Sequence, residues 1–102
     1  MKKILKIIKN QYKCKDRDAY IDILCEDKIN GDYVIIELKS FIADKDTYNQ
    51  INNYLDCINN TIAKGKDVKG LVISKWFDDE FVKLCNTNEN ISYLKLRNLG
   101  LG

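Results

Sequence analysis

The sequence predicts a mixed α/β fold in which one β-sheet is flanked by helices, with elements in the order βββαβαβ and an N-terminal helix that is short or missing. Three observations lead to this prediction. Asn30-Gly31 separates two runs rich in β-branched residues, which is typical of a hairpin between antiparallel strands. Helix-like apolar spacing then leads into a further apolar run, and such crossovers normally join parallel strands. A second helix and strand repeat this arrangement at the end of the chain.

The composition indicates one domain, residues 1–102, in which scaffold and functional site share a modest core. Hydrophobic residues make up 45% of the 102 positions. No apolar run reaches the roughly 18 residues of a membrane span and no cleavable leader is present, so we expect a cytoplasmic protein. The net charge is only +2, but basic residues crowd positions 2–17. Such a cluster either faces phosphates or forms a solvated edge.

Cysteine and histidine usage excludes several kinds of site. The 4 cysteines form no C-x-x-C pair, and we expect free, mostly buried thiols rather than disulfides or a zinc site. The chain has no histidine, which excludes Ser-His-Asp and Cys-His catalysis and any nuclease chemistry that uses an imidazole base. No P-loop or G-x-G-x-x-G motif occurs, and Asp16-x-Asp18 lacks the glycine and glutamate of a calcium loop.

Two short segments precede the hairpin. Residues 2–9 have apolar side chains at helix-like spacing, but the segment is so short that it is either a short helix or an edge strand. Polar and apolar side chains alternate from Gln11 to Lys15. This alternation predicts a half-exposed strand that runs with some irregularity into the next one.

The hairpin joins a strand over residues 19–25 to a strand over residues 32–40. We predict a two-residue Asn30-Gly31 loop, which pairs Ile29 with Asp32. Counting outward from that pair fixes the register of the whole hairpin.

This register brings together ionisable side chains that strand propensity does not explain. It places Leu24 opposite Glu37 and Asp22 opposite Lys39. Side chains alternate along a strand and paired residues share a face, so the three charged residues lie on one face with Ile35. Asp22 and Glu37 are then close enough to hold one divalent cation.

The hairpin is followed by a helix and then by shorter elements. Asp44 and Asp46 offer N-caps, and Gly65 lies where a C-terminal cap is expected. The apolar positions between them predict a helix that extends to Ala63 and packs on the sheet, namely Ile51, Leu55, Ile58 and Ile62. Gln50 and Tyr54 lie one turn apart on a neighbouring stripe of this helix.

The remaining segments predict one more crossover. The run Val68–Lys75 has the unbroken apolar character of a buried strand. Asp78 caps a short helix that extends to about Asn86. Residues 91–96 form a last strand, and residues 98–102 form a loose tail.

The candidate site has the pattern Asp22, Glu37-x-Lys39 and Gln50-x-x-x-Tyr54. This pattern resembles the PD-(D/E)xK nuclease superfamily. The surrounding sequence, from about residue 11 to residue 97, resembles the NucS/EndoMS-type endonuclease catalytic domain. The segments that carry the resemblance are Ile21-Asp22-Ile23-Leu24, Val34 to Lys39, Ala43-Asp44 and Gly65-Lys66-x-Val68-x-Gly70.

The resemblance implies a restriction-endonuclease-like fold and a metal-dependent deoxyribonuclease. Mg²⁺ or Mn²⁺ would be held by Asp22, Glu37 and the backbone carbonyl of Leu38, which are the hard oxygen ligands these ions prefer. Lys39 would orient or deprotonate the attacking water and offset charge on phosphorus. By the same likeness, Gln50 and Tyr54 would contact the water or the DNA backbone.

The sequence departs from the family pattern in three ways. Ile21 replaces the proline that precedes the aspartate, and a strand needs only an apolar residue there. Few residues precede Gln11, so the usual first helix and any ligand on it are missing or come from another chain. The DNA-recognition domain of the NucS type is absent from this sequence, so mismatch specificity is not carried over.

Other interpretations of the same residues stay open. The alternative for Asp22, Glu37 and Lys39 is a ladder of surface ion pairs on a solvated face of the sheet. Gln50 is otherwise an exposed helix residue, and Tyr54 a core aromatic with its hydroxyl at the surface.

Three functional hypotheses follow. The first is a metal-dependent DNA endonuclease or nuclease subunit, and the second is a non-catalytic module that binds nucleic acid or protein. The third is a dimeric Holliday-junction-resolvase-like nuclease. A small sheet with few flanking helices exposes apolar surface, so we also expect a homodimer or a partner subunit that supplies recognition.

Overall fold

The computed structural model describes residues 4–99, which form a 5-stranded sheet and two α-helices. The spatial order of the strands is β1-β2-β3-β4-β5. The pairs β1/β2 and β2/β3 are antiparallel, and the pairs β3/β4 and β4/β5 are parallel. The predicted mixed sheet and order of elements are therefore observed. The elements are β1 Leu5–Lys13, β2 Tyr20–Asp27, β3 Tyr33–Ala43, α1 Lys45–Thr61, β4 Val68–Phe77, α2 Asp79–Asn86, β5 Ile91–Lys95 and a 3₁₀ helix Leu96–Leu99.

Both helices lie on one face of the sheet. The strands β3, β4 and β5 follow one another in a single direction, and right-handed crossovers then place α1 and α2 on the same side. Helix α1 approaches β4 so closely that a Cβ added to Gly70 would lie 2.8 Å from Cγ1 of the buried Ile51. The main core lies between this face and the helices.

The N-terminal segment is a strand and not a helix. β1 is an edge strand that covers parts of both predicted segments, the one over residues 2–9 and the alternating one from Gln11 to Lys15. Its pairing with β2 contains a register shift between Ile7 and Lys9. Gln11 has a φ of 51°, which adds a further irregularity. Residues 2 and 3 of the basic cluster lie outside the described residues. Apolar side chains of β1 are exposed, including Ile7 at 57%.

The hairpin loop is longer than the predicted two residues. The amide N–H of Asp27 donates to the carbonyl of Asp32, so the loop consists of residues 28–31. A two-residue Asn-Gly loop forms a type I′ turn, in which both central residues have a positive φ. Of Asn30 and Gly31, only Gly31 has a positive φ, of 80°. The Asp27 carboxylate instead accepts from the N–H of Ile29 at 2.8 Å, which stabilises the longer turn.

The corrected loop moves the register by two residues. Ile23 pairs with Ile36, so Asp22 lies level with Glu37, and the predicted pairing of Asp22 with Lys39 is wrong. Because the shift is even, each side chain keeps its predicted face. The backbone pairing of β2 with β3 ends at Ile23 and Ile36, and the two strands part beyond this point.

Helix α1 begins where predicted but ends earlier. The Asp44 carboxylate accepts from the N–H of Thr47 and the Thr47 hydroxyl accepts from the N–H of Asp44, which completes a capping box. The helix ends at Thr61 with Ile62 as its C-cap, so the predicted end at Ala63 with a Gly65 cap is wrong. Gly65, with φ 90°, belongs to the turn that leads into β4.

The later elements agree with the predictions apart from their ends. β4 extends two residues further than predicted, to Phe77, and Asp78 caps α2 as predicted. Leu96 belongs to the 3₁₀ helix rather than to β5, so part of the predicted loose tail is ordered. Residues 100–102 of that tail lie outside the described residues.

The four cysteines are free and buried, as predicted. Burial raises the pKa of the Cys85 thiol to about 11, and burial together with the neighbouring Cys57 raises that of Cys14 to about 12. These thiols are therefore protonated at neutral pH. Within residues 4–99, neither helix is long and apolar enough to cross a membrane.

Candidate active site

The predicted site residues line one open cavity of about 660 Å³. The cavity lies between the segment leading into β2, the middle of β3 and one face of α1. Every side chain predicted from the sequence contributes to its wall, together with Leu38: Asp22, Glu37, Lys39, Gln50 and Tyr54. The wall also contains residues that sequence reasoning missed: Asp18, Ala19, Tyr20 and Asn53.

Asp22 occupies the gap that opens where β2 and β3 part. Its Oδ2 accepts a hydrogen bond from the backbone N–H of Leu38 at 3.0 Å. The carboxylate thus replaces a backbone partner that the sheet no longer supplies. This contact fixes one carboxylate oxygen beside the backbone of β3.

Glu37 is a buried carboxylate, with only 3% of the residue exposed. Its Oε2 lies 3.6 Å from the Nζ of Lys39, whereas Oε1 is buried and has no hydrogen-bond partner among residues 4–99. Burial, followed by the negative charge of Asp22, raises the pKa of Glu37 to about 7, while Lys39 acts in the opposite direction. An unsatisfied, buried acceptor of this kind is costly unless something binds to it.

Lys39 pairs with Glu37 and not with Asp22, because of the shifted register. Both residues belong to β3, two positions apart, so their side chains emerge on the same face. The ammonium stays partly exposed and borders the open cavity. Lys39 is therefore held by one buried charge and still accessible to an incoming group.

Gln50 and Tyr54 form a hydrogen-bonded pair on α1. The Gln50 Nε2 donates to the Tyr54 hydroxyl at 2.8 Å. Tyr54 belongs to the core cluster and also reaches the cavity. Burial, and then the nearby charges of Glu37 and Asp22, raise the pKa of Tyr54 to about 12. The hydroxyl therefore keeps its proton and can donate it to a further acceptor.

A second network, which the sequence did not suggest, fixes the β1–β2 loop on α1. The Arg17 guanidinium donates to the backbone carbonyl of Asn53 at 3.1 Å, to its side-chain oxygen at 2.8 Å, and to Asp56 at 2.9 Å. It also holds both oxygens of Asp16, at 2.7 and 2.8 Å. These residues are distant in sequence from α1, and no local pattern indicates that they meet it.

The donor set fits a small divalent cation. Residues 4–99 contain no group of three or more histidine, cysteine, aspartate or glutamate side chains that would enclose a metal. The available ligands are the carboxylates of Asp22 and Glu37 and the backbone carbonyl of Leu38. These are hard oxygen donors, and the free Oε1 of Glu37 is an acceptor that a cation would satisfy.

The fold matches part of three chains of known structure. A repair endonuclease from Pyrococcus abyssi superposes with a TM-score of 0.77 at 24% identity, over 90% of this chain and 38% of that one. An EndoMS–dsDNA complex gives 0.76 at 18% identity, over 90% of this chain and 36% of that one. EndoMS in its apo form gives a TM-score of 0.70 at 20% identity, over 90% of this chain and 38% of that one. The chain spans little more than a third of the length of each of these proteins.

The family is established by sequence. Residues 1–99 match the family described as the endonuclease NucS C-terminal domain. The match covers nearly the whole chain, so the protein belongs to this family. Comparison with curated proteins gave no match.

Proposed function

We propose that this protein is a metal-dependent nuclease domain of the PD-(D/E)xK type, with a restriction-endonuclease-like fold, that hydrolyses phosphodiester bonds in DNA. The observation that carries the proposal is the unsatisfied Oε1 of Glu37, buried beside Asp22 and Lys39 at the wall of an open cavity. An acceptor with no partner, next to a second carboxylate, is typical of a site that functions with a bound cation.

The geometry favours this proposal over a ladder of surface ion pairs. A surface pair would leave both charges solvated, whereas Glu37 is 3% exposed. Burying the Glu37 carboxylate beside the Asp22 carboxylate disfavours its charged form in the folded protein. The raised pKa of Glu37 reflects this effect. Strongly perturbed carboxyl groups in a cleft are frequent in functional sites.

Asp22, Glu37 and the Leu38 carbonyl would hold Mg²⁺ or Mn²⁺. When bound, such a cation supplies positive charge beside the phosphate and makes water more acidic. The Leu38 N–H already orients Asp22 through its hydrogen bond of 3.0 Å. These few ligands leave coordination positions for water and for phosphate oxygens.

The remaining side chains orient the reacting groups. Lys39, anchored by Glu37, would orient the attacking water and offset negative charge on the phosphorus. The Gln50 amide fixes the Tyr54 hydroxyl at 2.8 Å, and the hydroxyl proton is free to bind a phosphate oxygen. Positioning and charge stabilisation supply most of the catalysis in phosphoryl-group chemistry.

DNA is the proposed substrate because of the relatives. One similar structure is described as a repair endonuclease and another as an EndoMS–dsDNA complex. A second copy of the chain or a partner subunit is the proposed source of recognition of a particular DNA structure. A cytoplasmic location is part of the same proposal.

The proposal is tested with a cleavage panel in Mg²⁺, Mn²⁺ or EDTA. Single-stranded, duplex, branched and mismatched oligonucleotides are the substrates. We expect cleavage in either metal and none in EDTA, and we expect Lys39→Ala and Asp22→Asn to reduce the rate at least about 100-fold. Lys75→Ala and Asp46→Asn are matched controls, because both residues are exposed and lie outside the cavity wall.

Two results would contradict the proposal. One is the absence of cleavage of every substrate by a wild-type protein that is folded by circular dichroism. The other is cleavage that Lys39→Ala and its control reduce equally. DNA binding that needs no metal and is unaffected by Glu37→Ala would instead favour a non-catalytic module.

A further inference from the structure

Tyr20 presents an exposed aromatic ring at the wall of the candidate active site. It is the first residue of β2, two positions before Asp22, and it lines the same cavity as Asp22 and Glu37. Its exposed fraction is 52%. The mechanism proposed above does not use this ring.

A lysine ammonium is held close to the ring. The Nζ of Lys13 lies 5.8 Å from the ring centroid of Tyr20, its cross-strand partner. The same ammonium donates to the backbone carbonyl of Arg17 at 2.8 Å and to that of Cys14 at 3.3 Å. Asp18 lies 4.0 Å away, but its side chain is 95% exposed, and a charge pair in water is weak. Lys13 therefore provides a positioned positive charge.

The loop that carries this pair is rigidly attached to α1. Arg17 binds Asn53 and Asp56 of α1, and the N–H of Cys14 donates to the carbonyl of Ala19 at 2.8 Å. A loop whose backbone is held by such contacts loses little conformational freedom when a ligand binds beside it. The Arg17 network thus preorganises the surface that contains Tyr20.

We propose that Tyr20 stacks on an unpaired base of the nucleotide next to the scissile phosphate, while Lys13 contacts the adjoining backbone. This inference rests on the proposed function and assigns a nucleotide-binding subsite within it. A base within a duplex has both faces covered by its neighbours, so an exposed ring at this position binds a base that has left the stack. Aromatic rings and lysines are the side chains by which proteins bind single strands.

Steady-state cleavage of a fluorescein-labelled single-stranded oligonucleotide tests the role of Tyr20. We expect Tyr20→Ala to raise KM roughly tenfold with a much smaller change in kcat, and Tyr20→Phe to restore the wild-type KM. Trp76→Ala is the matched control. Trp76 is 49% exposed with the Lys95 ammonium 5.7 Å from its ring, but it is not part of the cavity wall. Equal losses in Tyr20→Ala and Trp76→Ala would overturn the inference.

A second measurement locates the base and does not depend on catalysis. Binding of oligonucleotides that each contain one abasic nucleotide, at successive positions, is measured by fluorescence anisotropy in EDTA. At one position the abasic change and Tyr20→Ala should be non-additive, because each removes the same stacking contact. Additive losses at every position would overturn the inference.

The two proposals fail separately. If wild-type protein cleaves DNA but Tyr20→Ala behaves as wild type, only the stacking subsite is wrong. If no substrate is cleaved but the non-additive binding is found, the nuclease proposal is wrong and the nucleotide subsite stands. Thermal unfolding of each variant separates these outcomes from loss of the fold.

Discussion

Glu37 combines a high cost for folding with a central place in the site. Its carboxyl group is buried, close to Asp22, and one of its oxygens has no partner among the described residues. The pKa of about 7 means that the folded protein holds this proton more tightly than an unfolded chain does. Burial of Glu37 therefore lowers stability at neutral pH, and the proposed cation would offset that loss.

This reasoning predicts how stability depends on pH. In EDTA, the Glu37 contribution to the free energy of unfolding should be unaffected below pH 4.5 and should fall by about 3 kcal/mol as pH rises to about 7, because the unfolded chain ionises first. Urea unfolding as a function of pH measures the loss. Glu37→Gln should remove this contribution to the pH dependence of the free energy of unfolding. Adding Mg²⁺ to the wild-type protein should recover the stability that it loses at neutral pH. Equal slopes in wild type and Glu37→Gln would contradict the prediction.

At the scale of single elements, the position of α1 decides whether the site forms. The helix supplies Gln50 and Tyr54, and its Ile51 side chain packs directly on the backbone of β4 at Gly70, which has no side chain of its own. Its start is fixed by the capping box of Asp44 and Thr47. The helix is therefore defined at one end by capping and along its length by close packing.

Gly70→Ala tests this contact between α1 and β4. The new methyl group would lie 2.8 Å from Ile51 Cγ1, so the helix must move or the core must distort. We expect a loss of about 1–3 kcal/mol in the free energy of unfolding, measured in urea, and lower cleavage activity because Gln50 and Tyr54 move with the helix. A variant as stable and as active as wild type would show that the helix position is not critical.

Local sequence patterns predicted which candidate residues share a face better than they predicted the loops that position them. Alternation along β3 was enough to place Glu37 and Lys39 on one face, and this result depends on no distant contact. The hairpin register failed because the Asp27 carboxylate stabilises a longer turn, a side-chain contact that the Asn-Gly pattern does not reveal. The Arg17 contacts with α1 join distant segments, so a single sequence contains no signal for them.

At the scale of the whole molecule, the β1 edge of the sheet carries exposed apolar side chains. β1 exposes Ile7 at 57% and Ile8 at 46%, and Ile4 just before it is exposed at 51%. A strand edge with exposed apolar side chains readily pairs with another chain. This edge supports the expectation of a second chain.

Sedimentation velocity tests whether the second chain is another copy. We expect wild-type protein to form a dimer at micromolar concentration, because pairing would bury the isoleucines of β1. Ile7→Glu should shift the population to monomers, and Ile29→Glu is the control, since Ile29 is also an exposed isoleucine, at 68%, but lies in the hairpin loop. A monomeric wild-type protein would contradict homodimerisation. A partner subunit would then be the remaining candidate to pair with β1.

The parting of β2 and β3 at Ile23 and Ile36 also limits how the gene can vary. The parts of β2 and β3 that lie between the hairpin loop and this point determine on which face of the sheet the Asp22 and Glu37 side chains lie. Inserting or deleting a single codon in either segment would turn Asp22 or Glu37 to the reverse side of the sheet, whereas length changes confined to the tip would leave both in place. Indels among relatives are therefore expected at the tip and not between it and the opening.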